Sequence, residues 1–121
     1  MAMHDPRYLS GIPVKKRILD DVGEAIAALS GQGTLPKLVS ISIGDTPEVA
    51  VYIRGQKRAA EQVGLPFDDQ YRPGDITAED AKSRLLAMHD DPAVLGVILQ
   101  RPVPAHLNVR SLQGAIHPLK D

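Results

Sequence analysis

The chain of 121 residues contains no cysteine, which excludes disulfide scaffolds, thiolate metal sites and cysteine nucleophiles. Its aromatic residues are only three tyrosines and one phenylalanine, so little is available to build a base-stacking platform. An excess of positive charge is also missing, because 14 Lys and Arg stand against 15 Asp and Glu and leave a net charge of -1. We therefore expect neither nucleic acid nor a membrane surface among its partners.

Long hydrophobic runs are absent as well. The longest, Ala93 to Leu99, is far shorter than the ~20 residues of a membrane helix. The N-terminal residues Met1 to Asp5 lack the apolar core of a signal peptide. With 43% hydrophobic and 24% charged residues, the composition is that of a soluble globular protein. We expect one domain, residues 1–121, in the cytoplasm.

Apolar periodicity and turn signals predict alternating helices and strands. The predicted helices cover about 13–30 (interrupted by Gly31-Gln32-Gly33), Pro47 to Gly64 with Thr46 as cap, Thr77 to Asp91-Pro92, and Asn108 to Ile116. The predicted strands cover 38–43, 67–71 and 93–99, the last with both faces covered. This order predicts an α/β fold, a mainly parallel sheet flanked by helices.

In such sheets ligands bind at the carboxyl ends of strands, here the segments Gly44 to Pro47 and Gln100 to Pro104. Tyr52 and Gln56 are four residues apart and share one face of the helix that follows the first segment. The Gln100 amide offers two donors and an acceptor, which suits a neutral heterocycle. Each feature also has an ordinary alternative: a well-capped turn, a tyrosine packed at the rim of the core, a polar residue ending a strand.

Two other kinds of site receive no support from the sequence. It has neither GxGxxG nor GxxxxGK[ST], so a dinucleotide or Walker-type phosphate site is not predicted. Its histidines show no metal-ligand spacing, and we interpret them as surface or loop residues; they are His4, His89, His106 and His117. No metal site is predicted.

A series of short motifs runs along nearly the whole chain: Pro36-Lys37-Leu38, Ile43-Gly44, Pro47, Tyr52, Ala59-Ala60, Gly64, Gly96 to Pro104 and Ile116 to Asp121. In order and separation they resemble the bifunctional methylenetetrahydrofolate dehydrogenase/cyclohydrolase family, in its N-terminal, folate-binding catalytic domain. The resemblance implies oxidation of methylenetetrahydrofolate to the methenyl form with NAD(P), then hydrolysis to formyltetrahydrofolate. It also implies a following Rossmann domain, which we expect this chain to lack, with the folate held between the two domains, and a possible homodimer.

The resemblance carries over to particular residues. It implies that Tyr52 packs against the folate rings and that Gln100, Pro102 and Asp121 bind substrate. Gln56 stands at the position of the family's catalytic lysine, and Val49 replaces a motif serine. An amide does not titrate near neutral pH, so Gln56 does not act as a general acid or base. The chain also ends before the second aspartate of the family's K-D-V-D-G motif.

Three functional hypotheses follow. In the first, the chain binds a tetrahydrofolate derivative but is impaired or inactive on its own. In the second, it is an active one-carbon folate enzyme, completed by a nucleotide-binding partner chain or using altered chemistry with Gln56 as an orienting group. In the third, it is a non-catalytic interaction module that kept only the fold. No cofactor site is expected in this chain, and NAD(P) would enter only if a second domain or chain supplied the site.

Overall fold

A computed structural model describes residues 12–31 and 35–121. The elements, in chain order, are α1 (Ile12–Gly31), β1 (Lys37–Ile43), α2 (Pro47–Val63), β2 (Phe67–Arg72), α3 (Ala78–Leu86), β3 (Val94–Leu99) and α4 (Val109–Gln113). The three strands form one sheet in the order β2-β1-β3, and β1 pairs in parallel with both neighbours. The predicted α/β fold with a parallel sheet is confirmed.

The helix that leaves the central strand begins and ends where the sequence predicts. Pro47 stands in its first turn, and Gly64 ends it in the left-handed conformation, with φ of 78°. The predicted cap at Thr46 is only half right, because its side chain accepts no capping hydrogen bond. The N–H group of Val49, which such a cap would bind, is donated at 3.1 Å to the carbonyl oxygen of Thr46 instead.

The last two helices are shorter than predicted. α3 starts as expected, with the Thr77 hydroxyl accepting from Asp80 N at 3.1 Å, but it ends at Leu86 instead of Asp91. Turns closed by hydrogen bonds between residues three apart, such as Met88 N to Leu85 O, replace the helical pattern there. α4 ends at Gln113 and is likewise followed by tight turns rather than by helix through Ile116.

One face of the sheet packs against α3 and α4 and forms the main hydrophobic core. From the central strand it takes Val39, Ile41 and Ile43, which alternate with residues of the other face. The remaining members of this core are Ala81, Leu85, Met88, Val94, Val97, Leu99, Leu107, Leu112, Ala115 and Ile116. The core therefore consists of small and medium aliphatic side chains, as the scarcity of aromatic residues requires.

The other face is covered less completely. α2 lies over β1 and β2, and α1 packs against α2, so β3 has little cover on this side. Gly96 and Ile98 are half-buried and Leu95 is 45% exposed. The prediction that this strand is covered on both faces is therefore wrong: its apolar sequence matches a buried strand, but no helix of the described residues lies over its second face.

Periodicity also predicts α1 correctly without predicting its burial. Ile26 is 5% exposed, whereas most of the periodic apolar residues on the same helix are exposed; these are Val14, Ile18, Val22 and Leu29. None of the helices within residues 12–31 and 35–121 combines the length and apolarity needed to cross a membrane. His4 and the predicted break at Gln32-Gly33 lie outside the described residues.

Candidate functional site

The two segments singled out at the strand ends meet in the structure. Gly44 follows β1 with a positive φ of 82°, and its N–H group donates to Arg72 O at 3.0 Å. A side chain at Gly44 would stand 3.7 Å from both Gly74 and Pro104, so the three loops approach closely there. The sheet thus brings the ends of its strands to one edge, where α/β domains hold their ligands.

A hydrogen-bonded group of three side chains lies next to this edge. Gln100 directly follows β3, is 5% exposed, and donates from Nε2 to the hydroxyl oxygen of Ser40 at 2.9 Å. The same nitrogen donates to Oε1 of Gln56 at 2.6 Å. We call Ser40, Gln56 and Gln100 the amide network. It ties β1, α2 and the end of β3 together and brings Gln56 and Gln100 into direct contact.

Each member of this network is placed by its own element. Ser40 is 0% exposed on the central strand and faces the α2 side, since its neighbours Val39 and Ile41 face the main core. Gln56 lies in the middle of α2 and is half-buried. The backbone of Gln100 is held by its N–H donating to Ile41 O at 2.9 Å. The geometry of the network is therefore built on the sheet and one long helix.

An open apolar groove of about 240 Å³ runs beside Gln56. Its lining comes from α1, α2, the segment after α2, β1 and β3: Leu19, Leu38, Gln56, Ala59, Ala60, Val63, Leu65 and Ile98. Gln56 is the one residue of this lining with a polar side chain. Apolar walls with a few placed polar groups are the usual composition of a small-molecule site.

Tyr52 is 64% exposed, one helical turn before Gln56. Its ring therefore does not pack in the core, and the ordinary alternative for this residue is wrong. Arg101 and Pro102 are exposed directly after Gln100, and the peptide bond between them is cis. The substrate-binding roles of Tyr52 and Pro102 stay predictions, but both residues are accessible beside the network.

Asp121 contacts a different part of the domain from Tyr52 and Pro102. It is exposed, and one of its carboxylate oxygens accepts a hydrogen bond from Nε2 of Gln113. Gln113 belongs to α4, which packs on the opposite face of the sheet from the amide network. The described contacts therefore do not join Asp121 to Gln56 or Gln100, and its role in substrate binding stays a prediction.

Sequence reasoning did not identify Ser40. The signal was present, because serine alternates with isoleucine in Leu38 to Ile43, and a polar residue at every second position of a buried strand indicates a face with polar partners. What the pattern could not give was the partner, since Gln100 is 60 residues away along the chain. The groove residues Leu19 and Ile98 were missed for the same reason.

A carboxylate with a perturbed pKa lies on β2 and is not part of the amide network. The pKa of Asp68 on β2 is lowered, because Gln70 and Lys37 donate hydrogen bonds to its carboxylate. His89 and His117 lie in turns, as expected, but they are half-buried with ring centroids 4.9 Å apart. Across the described ranges no three or more His, Cys, Asp or Glu side chains gather as metal ligands would. The amide network is thus a neutral hydrogen-bonding site.

These features define a class of protein: a small parallel α/β domain with a neutral, mixed donor and acceptor site at the ends of its strands. A family model described as "Tetrahydrofolate dehydrogenase/cyclohydrolase, catalytic domain" matches residues 9–121. The chain belongs to this family, and the resemblance stated from its motifs is confirmed.

The chain is similar to several bacterial relatives named bifunctional protein FolD. It is 58% identical to FolD 3 of Roseobacter denitrificans and covers 40% of that protein with 98% of its own length. With FolD 2 of Ruegeria pomeroyi the identity is 57%, over 97% of this chain and 39% of the relative. The chain thus spans about two fifths of the length of these relatives.

Solved structures agree with this assignment. A methylenetetrahydrofolate dehydrogenase from the silkworm, Bombyx mori, is 33% identical with a TM-score of 0.86, over 95% of this chain and 40% of that one. The dehydrogenase-cyclohydrolase of Trypanosoma brucei, solved with NADP and an inhibitor, is 25% identical with a TM-score of 0.83, over 93% and 39%. The fold described above is therefore the fold of this family's catalytic domain.

Proposed function

We propose that this chain is a folate-binding domain that holds a reduced folate at the ends of β1 and β3, in contact with Tyr52, Gln56 and Gln100. The observation that carries the proposal is the amide network. In a member of this family, a buried glutamine and a half-buried one meet at 2.6 Å beside an apolar groove and an exposed tyrosine ring. Ring face, apolar wall and mixed amide edges are complementary to a pterin.

The residues present do not support acid-base chemistry at this site. Hydrolysis of a methenyl group adds water and releases a proton, which requires a group that exchanges protons near neutral pH. Gln56 occupies the position where the family resemblance places a lysine, and an amide does not exchange protons in this way. We therefore propose that the chain alone hydrolyses methenyltetrahydrofolate at or near the background rate.

The residues present do not fit a nicotinamide nucleotide either. A pyrophosphate would need free N–H groups at the start of α2. Pro47 has none, the N–H groups of Val49 and Ala50 are donated to Thr46 O at 3.1 and 3.4 Å, and no glycine-rich turn precedes the helix to supply others. We expect no NAD(P)-dependent oxidation of methylenetetrahydrofolate by the pure chain, and formation of the methenyl product in a spectrophotometric assay would contradict this.

A second candidate is an active enzyme completed by a partner chain that brings the nucleotide site. It is favoured by the 58% identity to a relative named bifunctional, of which this chain covers 40%. Methenyl hydrolysis by the pure chain well above background, but insensitive to Gln56→Ala, would favour this second candidate and show that the reacting group lies elsewhere. A homodimer and a cytoplasmic location stay predictions from the sequence and the resemblance.

Calorimetric titration with tetrahydrofolate tests the first proposal. The wild type should bind, and Gln100→Ala should weaken binding about tenfold or more, because it removes one amide and leaves the other without its partner. The matched control is Gln62→Ala, on the same helix as Gln56 but exposed and outside the network; it should bind like the wild type. Absence of binding by the wild type would overturn the proposal.

A further inference from the structure

A turn of residues 117–120, closed by a 2.8 Å hydrogen bond from Lys120 N to His117 O, lies against the outer edge of β3. Lys120 O accepts from Val97 N at 2.7 Å, whereas Gln100 N donates to Ile41 O on the inner edge of the sheet. Because the N–H groups of a strand alternate between its two edges, Val97 N points away from β1. We call residues 117–120 the latch turn, since they occupy the edge where a further strand would pair.

The latch turn is tied to the turn that follows α3. Lys120 Nζ donates to Met88 O at 3.0 Å and to Asp91 O at 2.6 Å. The rings of His89 and His117 meet with their centroids 4.9 Å apart and their planes inclined by 55°. Two backbone carbonyls and a pair of imidazoles therefore join the same two turns.

Each imidazole of this pair has one nitrogen at which a hydrogen does not fit. Leu119 N donates to His117 Nδ1 at 3.1 Å, so this nitrogen is an acceptor and carries no hydrogen. His89 Nδ1 is buried and has no hydrogen-bond partner among the described residues. A hydrogen placed there would be a buried donor without an acceptor. The closed latch turn is thus built for two neutral imidazoles, because a protonated ring carries a hydrogen on both nitrogens.

The charged groups around the pair do not supply partners for a second proton. Lys120 already places one ammonium group on the carbonyl of the residue before His89. Of the carboxylates, Asp91 accepts from Ala93 N at 2.9 Å and Asp121 accepts from Gln113. The other charged side chains next in sequence, on this turn, α3 and α4, are exposed: Asp90, Arg84 and Arg110. Within the described residues, none of these carboxylates is hydrogen-bonded to either imidazole.

We propose that His89 and His117 make the latch turn sensitive to pH, closed while both rings are neutral and released from β3 when acid protonates them. Release breaks the bond from Leu119 N to His117 Nδ1 and takes the acceptor Lys120 O away from Val97 N. Imidazole is the side chain that ordinarily changes charge between about pH 5 and 8. Since protonation favours the released form, the latch is complete above this range and weakens as the pH falls through it. This device does not depend on folate binding.

Hydrogen exchange of two backbone amides of the wild type tests the proposal. The measured quantity is the ratio of the protection factors of Val97 and Gln100, because opening of the whole strand affects both amides and cancels. An imidazole that must stay neutral in the closed turn, and has the ordinary value of about 6.5 when released, changes this ratio about tenfold between about pH 7.5 and about pH 5.5. The ratio should therefore fall by about 10-fold for one such ring and about 100-fold for two.

His117→Asn separates the effect of the imidazole from the shape of the turn. An asparagine oxygen accepts from the N–H group two residues on, as His117 Nδ1 does, but it does not titrate. The fall in the ratio should be about tenfold smaller in this variant than in the wild type. The matched control is His106→Asn, an exposed histidine bonded to Ile76 O, which should behave like the wild type.

Two results would overturn the latch. One is a wild-type ratio that stays constant between about pH 7.5 and about pH 5.5, a measurement that depends on no variant folding. The other is the same fall in the ratio in His117→Asn as in the wild type, which would assign the pH dependence to groups outside the pair.

Discussion

The central strand β1 contributes side chains of different character to the two faces of the sheet. Toward α3 and α4, β1 presents Val39, Ile41 and Ile43, all buried in a continuous aliphatic core. Toward α2 it presents Ser40 and Ser42, also buried, and the half-open groove. Because side chains alternate along a strand, one segment of seven residues supplies both. The core face therefore provides stability, and the polar face provides the candidate site.

The largest expected effect concerns the core face. Leu85 is 2% exposed in the main core, so Leu85→Ala should lower the free energy of unfolding by about 2 to 5 kcal/mol. Ile98 on the opposite face is only half-buried, so Ile98→Ala should cost clearly less. Urea denaturation measures both. Equal losses would show that the groove face is packed as tightly as the core.

On the polar face, a substitution in the amide network should change the rate of hydrolysis rather than the free energy of unfolding. Gln56→Lys places an ammonium group beside Gln100 and should raise methenyltetrahydrofolate hydrolysis by as much as ~100-fold, the contribution typical of a positioned acid-base group. The loss of the methenyl absorbance measures the rate, with Lys57→Gln, an exposed neighbour outside the network, as control. An unchanged rate, with folate binding intact, would mean that other groups of the site are also insufficient, Val49 among them.

Replacing Tyr52 should weaken folate binding without lowering the stability of the fold. Its ring is 64% exposed, so Tyr52→Ala should leave unfolding within about 0.5 kcal/mol of the wild type. Loss of a stacking surface should weaken tetrahydrofolate binding by about 1 to 3 kcal/mol. Calorimetry and urea denaturation on the same samples test both halves. Tyr71→Ala, an exposed tyrosine on β2, is the control.

The smallest effect is expected at Asp68, which belongs neither to the aliphatic core nor to the amide network. Its folded-state pKa lies below the usual 3.8, so the pairing stabilises the fold above that pH and is lost as the pH falls through the lowered value. The pair with Lys37 is more than a third exposed, so the contribution is below about 1 kcal/mol. Urea midpoints of the wild type and Asp68→Asn should differ slightly at pH 7 and converge below pH 3.8. A difference that grows in acid would contradict this sign.

The sequence predicts the elements better than it predicts their partners. The order of helices and strands, the parallel sheet and the limits of α2 follow from local signals such as Pro47 and Gly64, and those predictions are confirmed. Local signals do not say which helix covers which strand. For that reason the open face of β3 and the exposed stripe of α1 were not predicted, although both segments are apolar.

The candidate site was likewise predicted only in part. Gln56 and Gln100 could be named because each follows a recognisable strand-end segment or matches a family position. Ser40 could not, because its role depends on a contact with a side chain 60 residues away. The tight turns that end α3 early also depend on tertiary packing around Met88, which is 8% exposed.

The proposed folate site is tested most directly by following the glutamine side-chain amides by ¹H–¹⁵N NMR during titration with tetrahydrofolate. Gln56 and Gln100 lie in the amide network, whereas Gln70 lies on β2 and Gln113 on the far side of the sheet. We expect the NH₂ resonances of Gln56 and Gln100 to shift on binding and those of Gln70 and Gln113 to stay unchanged. Shifts at Gln113, with Gln56 and Gln100 unaffected, would place the ligand on the other face and contradict a folate site at the amide network.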